Sequence, residues 1–250
     1  MLLYYCHIPK AGGQTINRMI RLAFGRSKCL RVWEADFGSD ISPLQFMALQ
    51  EPELKKYRAV CGHLAFSYFL SNPAAKRLVD EGEVVMTASV REPIDRIVSQ
   101  YNYVTLHPAM SVSRFSTSLS LDDYALAEPE NSQSRYLSSE ETESPDLERI
   151  FGDFTVITLE HSISGMRQVL KDEFGLSTKA AKIKNKSSGL ADGRRVYTRD
   201  DLAPATLKKL NEKHGLDLEL FRRASSQDEL RVAAKNSGSW LWKRFGSQSQ

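Results

Sequence analysis

The sequence predicts an α/β domain with a central parallel sheet flanked by helices. Three observations predict it. Leu2 to Ile8 is a continuous apolar run, the pattern of a strand buried on both faces. It passes through a Gly-containing turn into a helix with Ile16, Met19, Ile20, Ala23 and Phe24 on one face at 3.6-residue spacing. The same order of strand, turn and helix then recurs along the chain.

Each later element follows from its own pattern. Tyr57 to Cys61 reads as a short strand ending at Gly62-His63. Val84 to Val90 is a stronger one and runs into Arg91-Glu92-Pro93, where the proline suits a first helical turn. The helix after it carries Ile94, Ile97, Val98 and Tyr101 on one face. Phe154 to Leu159 is a further buried strand, followed by a helix with Ile163, Met166, Val169 and Leu170. A last helix is expected from about Pro204 to His214. Residues 107–148 are Ser-rich and acidic with weak periodicity, and read as short helices and loops over one end of the sheet. No repeat appears at solenoid periods. One domain is expected over residues 1–224. Residues 225–250 read as a tail, helical around Trp240 and Trp242 and frayed beyond.

Composition narrows the function classes. A chain of 250 residues, 41% hydrophobic, suits one full core. A net charge of +3 is too small to argue for nucleic-acid binding, so an anion site must come from local clustering. Cys6, Cys29 and Cys61 lack metal-ligand spacing and read as buried thiols in a reducing compartment. The apolar N-terminus has no basic flank or cleavage site and is far shorter than the ~20 residues that span a bilayer. A cytoplasmic location and no membrane span are expected.

The chemistry starts at His7-Ile8-Pro9-Lys10-Ala11-Gly12-Gly13-Gln14-Thr15. Where a strand turns into a helix, backbone N–H groups and the helix dipole favour an anion. Lys10 adds a full charge, and Gln14 and Thr15 offer caps and donors. The lysine precedes the glycines, so this is not the magnesium-nucleotide loop that ends in Gly-Lys-Ser/Thr. A tight turn alone would also explain Gly12-Gly13.

The loop resembles the 5′-phosphosulfate loop of carbohydrate sulfotransferases, in the branch of heparan sulfate 2-O-sulfotransferase and its bacterial relatives, where the usual string is H-I-P-K-T-G-G-T-S. Ala11 and Gln14 depart from it. Arg91-Glu92-Pro93 with Ser99 is similar to the family's 3′-phosphate motif, eight residues separating the Arg from the Ser. Alone, that segment would equally suit a capping salt bridge and a polar helix residue. Gly62-His63-Leu64-Ala65-Phe66 resembles the family's G-H-x-x-F segment, which makes His63 the general base. His7 is expected to be structural, and His107, His161 and His214 to lie at the surface. Asn131, Gln133 and Arg135 match an N-x-Q-x-R-x-L element beside the acceptor, although they also suit a solvated helix face. Residues 177–199 hold seven Lys or Arg against one Asp. Among them Lys182, Lys184, Lys186, Arg194 and Arg195 resemble the late basic loop over adenine and the 3′-phosphate.

The resemblance implies a single P-loop-like domain. It implies transfer of a sulfuryl group from PAPS (3′-phosphoadenosine-5′-phosphosulfate) to a hydroxyl of a glycan or small hydroxylated acceptor, releasing PAP without a metal. Lys10 and His63 would be catalytic. Pro9, Lys10, Ala11, Gly12, Gly13, Gln14, Thr15, Arg91, Ser99, Lys186, Arg194 and Arg195 would hold the donor. His63, Asn131, Gln133 and Arg135 would meet the acceptor. Asp122, Asp123, Glu128 and Glu130, expected near the acceptor, favour a neutral or small glycan over a sulfated polymer. A kinase or NTPase, or a non-catalytic nucleotide-binding protein, are the alternatives.

Overall fold

A computed structural model describes residues 1–33, 40–106, 119–178 and 195–236, with side chains described as far as residue 231. In chain order the elements are β1 (Leu2–Cys6), α1 (Gly13–Phe24), β2 (Cys29–Val32), α2 (Pro43–Met47), α3 (Glu51–Leu54), β3 (Ala59–Gly62), α4 (Phe66–Leu70), α5 (Pro73–Asp80), β4 (Val84–Val90), α6 (Pro93–Leu106), α7 (Leu121–Ala127), α8 (Ser132–Leu137), α9 (Leu147–Asp153), β5 (Phe154–Thr158), α10 (Ser162–Phe174), α11 (Pro204–Lys213) and α12 (Gly215–Asn236).

The five strands form one parallel sheet in the order β2-β3-β1-β4-β5. The chain goes to one side of β1 for β2 and β3, then to the other for β4 and β5. All strands point the same way, so the loops leaving β1, β3 and β4 open side by side. In open α/β sheets ligands bind at such a reversal, beyond the carboxyl ends of the strands.

Both faces of the sheet are covered. Leu2, Tyr4 and Cys6 point into a core with Phe46, Phe66, Phe69, Leu137, Ile150 and Leu220. Leu3 and Tyr5 point the other way, onto Ile16, Met19 and Ile20 of α1 and Met166 and Leu170 of α10. That alternation under an unbroken apolar run is what a doubly covered strand produces. A third cluster packs α6 through Ile94, Ile97 and Tyr101 against Tyr124 of α7 and Leu210 of α11. The three cysteines are buried and free.

Two features bind the last helices to the sheet. Asn131, in left-handed conformation at the start of α8, accepts the N–H groups of Leu216 and Asp217 through Oδ1. Asp217 answers by accepting the N–H groups of Gln133 and Ser134 at 2.9 and 2.7 Å. Each helix start thus caps the other. Further along α12, Asp228 accepts the Thr158 N–H at 2.8 Å, and Arg231 Nη1 donates to Val156 O at 3.2 Å. These bonds lie on the side of β5 away from β4. The expected boundary at residue 225 falls inside this helix.

Candidate active site

The loop after β1 is held before it turns. The His7 N–H donates to Gly62 O at 3.0 Å, so the first loop residue is still tied to the end of β3. The next turn needs left-handed backbone at Lys10 (φ 67°) and Gly12 (φ 83°). Gly12 adopts this without cost; Lys10 adopts it against its Cβ. Gly13 is required for a different reason. A Cβ there would sit 1.8 Å from Cδ2 of the His7 ring. His7 is buried and accepts from Asn17 Nδ2 at 3.2 Å through Nδ1, which fixes the ring against the glycine. His7 is structural, as expected, and the loop folds around it.

The N-cap of α1 is Gly12, not Gln14 or Thr15, and a glycine has no side chain with which to cap the helix. A helix start without a side-chain cap has N–H groups to offer an anion. Ala11 is fully buried in the main core. A hydroxyl at that position would enter apolar surroundings.

Lys10 Nζ stands 4.2 Å above the ring centroid of Tyr103, on α6. Burial, with the nearby Arg91 charge, lowers the Lys10 ammonium to about 8. Arg91, at the end of β4, is itself lowered by burial and eased by Asp95, Glu160 and Glu92. Lys10 and Arg91 are thus two partly buried cations that follow the paired strand ends of β1 and β4. Ser99 lies half-buried on α6, two turns on from Arg91.

His63 follows β3 directly. Its ring centroid is 4.3 Å from that of His7 and 4.2 Å from that of Trp33. Its Nε2 is buried and has no hydrogen-bond partner among the described residues. Burial lowers its imidazole to about 4, so it is neutral near pH 7. A neutral imidazole with an unengaged nitrogen can accept a proton.

The chain belongs to the sulfotransferase family. The family model matches residues 2–162, which contain the loop, His63, Arg91, Ser99 and the 131–135 element. A comparison with curated protein sequences finds no match. Among solved structures the chain is similar to mouse sulfotransferase SULT7A1 complexed with PAP, at 13% identity and a TM-score of 0.45, with 87% of each chain covered.

The other residues expected in this sulfotransferase site take several places. Gln133 is fully buried, and its amide brackets the Arg91 backbone: Arg91 N–H to Oε1 at 3.0 Å, Nε2 to Arg91 O at 2.8 Å. The Asn131 side-chain oxygen is spent on α12. Arg135, by contrast, is exposed and lines a cavity with Ser67, Tyr68 and Glu141. Arg195 pairs with Asp201 at 2.5 Å and lies over the Tyr197 ring. Asn102 of α6 holds the Tyr197 backbone at both N–H and C=O, so this segment docks on the helix that carries Ser99. Lys182, Lys184, Lys186 and Arg194 lie outside the described residues, as does His107.

Some expectations are corrected. His214 is fully buried at the α11–α12 junction, not at the surface. Glu128 is buried against Arg96, Asp123 closes the cap of α7 with Ser120, and Asp122 accepts the Ala203 N–H. These three carboxylates are committed within the fold. Asn17, Trp33 and Tyr103 are the neighbours that sequence reasoning missed. Only their proximity to His7, His63 and Lys10 marks them. Among the described residues no group of three His, Cys, Asp or Glu side chains could hold a metal ion, and no helix is long and apolar enough to cross a membrane.

Proposed function

We propose that this sulfotransferase moves the sulfuryl group of PAPS to a hydroxyl of a carbohydrate-type acceptor and releases PAP. The observation that carries the reading is that the paired parallel strands β3, β1 and β4 end side by side in His63, whose Nε2 has no partner among the described residues, the Lys10 loop and Arg91. Two partly dehydrated cations favour an anion beside them, and a donor with phosphates at both ends of its nucleoside is such an anion.

In this reading the acceptor oxygen forms the new S–O bond as the bond from sulfur to the bridging phosphate oxygen breaks. The hydroxyl proton passes to His63 Nε2, and the electron pair leaves with the 5′-phosphate of PAP. Lys10 and the N–H groups of Gly12 and Gly13 offset charge growing on that phosphate; Pro9 has no N–H and supplies shape only, and the N–H groups of Ala11 and Thr15 already donate to Ile8 O and Gly12 O. Positioning and charge stabilisation supply most of the rate, as in phosphoryl transfer. Arg91 and Ser99 hold the 3′-phosphate. The family resemblance assigns Lys186, Arg194 and Arg195 to the adenine end; of these Arg195 lies in the 195–198 segment, which docks on α6 through Asn102 and Tyr197.

The test is calorimetry with PAP and with ATP plus magnesium, followed by transfer from labelled PAPS. PAP binding with little response to ATP is expected. ATP binding in preference to PAP would sink the reading. His63→Ala should abolish transfer and leave PAP affinity intact.

A further inference from the structure

Two cavities meet on the side of the sheet where α4 and α8 pack. The first, of about 280 Å³, begins at Ala65, two residues beyond His63, and is lined by Ser67, Tyr68, Arg135, Tyr136, Glu141 and Thr142. The second, of about 150 Å³, shares Thr142 and runs on past Glu140, Asp146, Arg149 and Asp153.

The lining has three properties. Tyr68 is 45% exposed and offers a ligand an aromatic face with a polar hydroxyl at its edge. Around it are hydroxyls from Ser67, Tyr136 and Thr142. The charges are balanced or acidic: Arg135 and Glu141 both line the first cavity, and three carboxylates and one guanidinium line the second. That guanidinium, Arg149, is already paired with Glu140 at 3.4 Å and Asp153 at 3.9 Å. Among the described residues no ion pair involves Arg135 or Glu141, so Arg135 can donate to a ligand and Glu141 can accept from one.

Hydrogen bonds tie one wall of the cavity to the strands that lead to the donor site. Cys6, the last residue of β1, donates to Tyr136 O at 3.7 Å, and Gln133, on the same short helix, holds Arg91. One wall therefore moves with the two strands that end at Lys10 and Arg91.

We infer that this groove is the acceptor subsite and that it takes an uncharged oligosaccharide, one sugar lying on Tyr68 and its neighbours running toward Asp146. The inference rests on the sulfotransferase reading above. A polyanionic chain would bring sulfates or carboxylates against Glu140, Asp146 and Asp153 with Arg149 already neutralised, and like charges there disfavour it. The expectation of a neutral acceptor thus stands on these residues in place of Asp122, Asp123 and Glu128.

The experiment is a transfer assay from PAPS with a panel of neutral hexasaccharides (maltohexaose, cellohexaose, chitohexaose) beside heparan and chondroitin hexasaccharides, read by product mass. Neutral members should gain a sulfuryl group and the anionic ones should not. Tyr68→Ala should raise the acceptor KM about tenfold, with PAP affinity by calorimetry and the melting temperature unchanged. Glu140→Lys with Glu141→Lys should raise turnover of the anionic members. Sulfation confined to anionic members, no sulfation of any neutral one, or an acceptor KM indifferent to Tyr68→Ala overturns the inference. Calorimetry with PAP on the same protein keeps the two readings apart. Failure of PAP to bind defeats the donor reading, whereas PAP binding with failure of the neutral panel defeats only the groove.

Discussion

Gln133 holds Arg91 by the backbone, giving and taking one hydrogen bond across 42 residues of sequence. The amide completes at the end of β4 what a further strand would have supplied. Arg91 thereby leaves the sheet in one direction, and its guanidinium is aimed without being touched by Gln133. Gln133→Ala should strip two buried backbone groups of partners, at a cost of about 1–3 kcal/mol each. The expected outcome is a lower melting temperature together with PAP affinity reduced about tenfold. Unchanged PAP affinity in the variant would separate Gln133 from the donor site.

Gly13 and His7 should behave as a pair. Gly13→Ala places a methyl where the His7 ring stands, so the loop or the ring must move. PAP affinity should fall more than tenfold. His7→Ala added to Gly13→Ala makes room for that methyl, and calorimetry should show part of the affinity regained. No recovery in the double variant would put the cause elsewhere.

Lys10→Ala should lower turnover by about two orders of magnitude or more, the usual scale for a lost transition-state charge partner. The pH dependence of kcat/KM should have two limbs. Below about 4 His63 becomes charged and cannot accept a proton; above about 8 Lys10 loses its charge. The rate should therefore be flat between these values and fall outside them. Tyr103→Leu removes the ring face that favours the ammonium, and should move the alkaline limb to lower pH, whereas Tyr103→Phe should leave it in place. A pH–rate series on the three proteins checks this.

Stability should fall in mild acid. His63 and His214 are both lowered to about 4, with burial the first cause in each, and both His214 ring nitrogens lack partners among the described residues. The unfolded chain takes up these protons near pH 6.5, before the folded one does. Their contribution is complete above that pH and is lost as the pH drops through about 4. Melting temperatures should decline over this interval, and His214→Leu should flatten the decline.

The sheet's centre was legible in the residues. β1, β4 and β5 are apolar runs because both faces are covered, and the loop could be read because its turn and its charge are contiguous in sequence. β2 escaped because it is four residues long with Arg31 inside it. α2 to α5 escaped because they are short, and their caps, such as Ser42 with Gln45, resemble ordinary turns. The polar element at 131–135 was read as facing a ligand. Two of its members satisfy backbone groups 42 and 85 residues away, and no local pattern announces such partners. His214 was missed for a related reason: its burial depends on a helix junction, not on its neighbours in sequence.

The clasp of α12 on β5 also bears on how the protein can be shortened. Asp228 and Arg231 occupy hydrogen-bonding groups that an outermost strand otherwise leaves bare. A chain ended near residue 224 would keep every motif of the sulfotransferase family yet carry an unguarded sheet margin. Such margins recruit strands from other molecules, so this truncation should precipitate or self-associate where the longer chain does not.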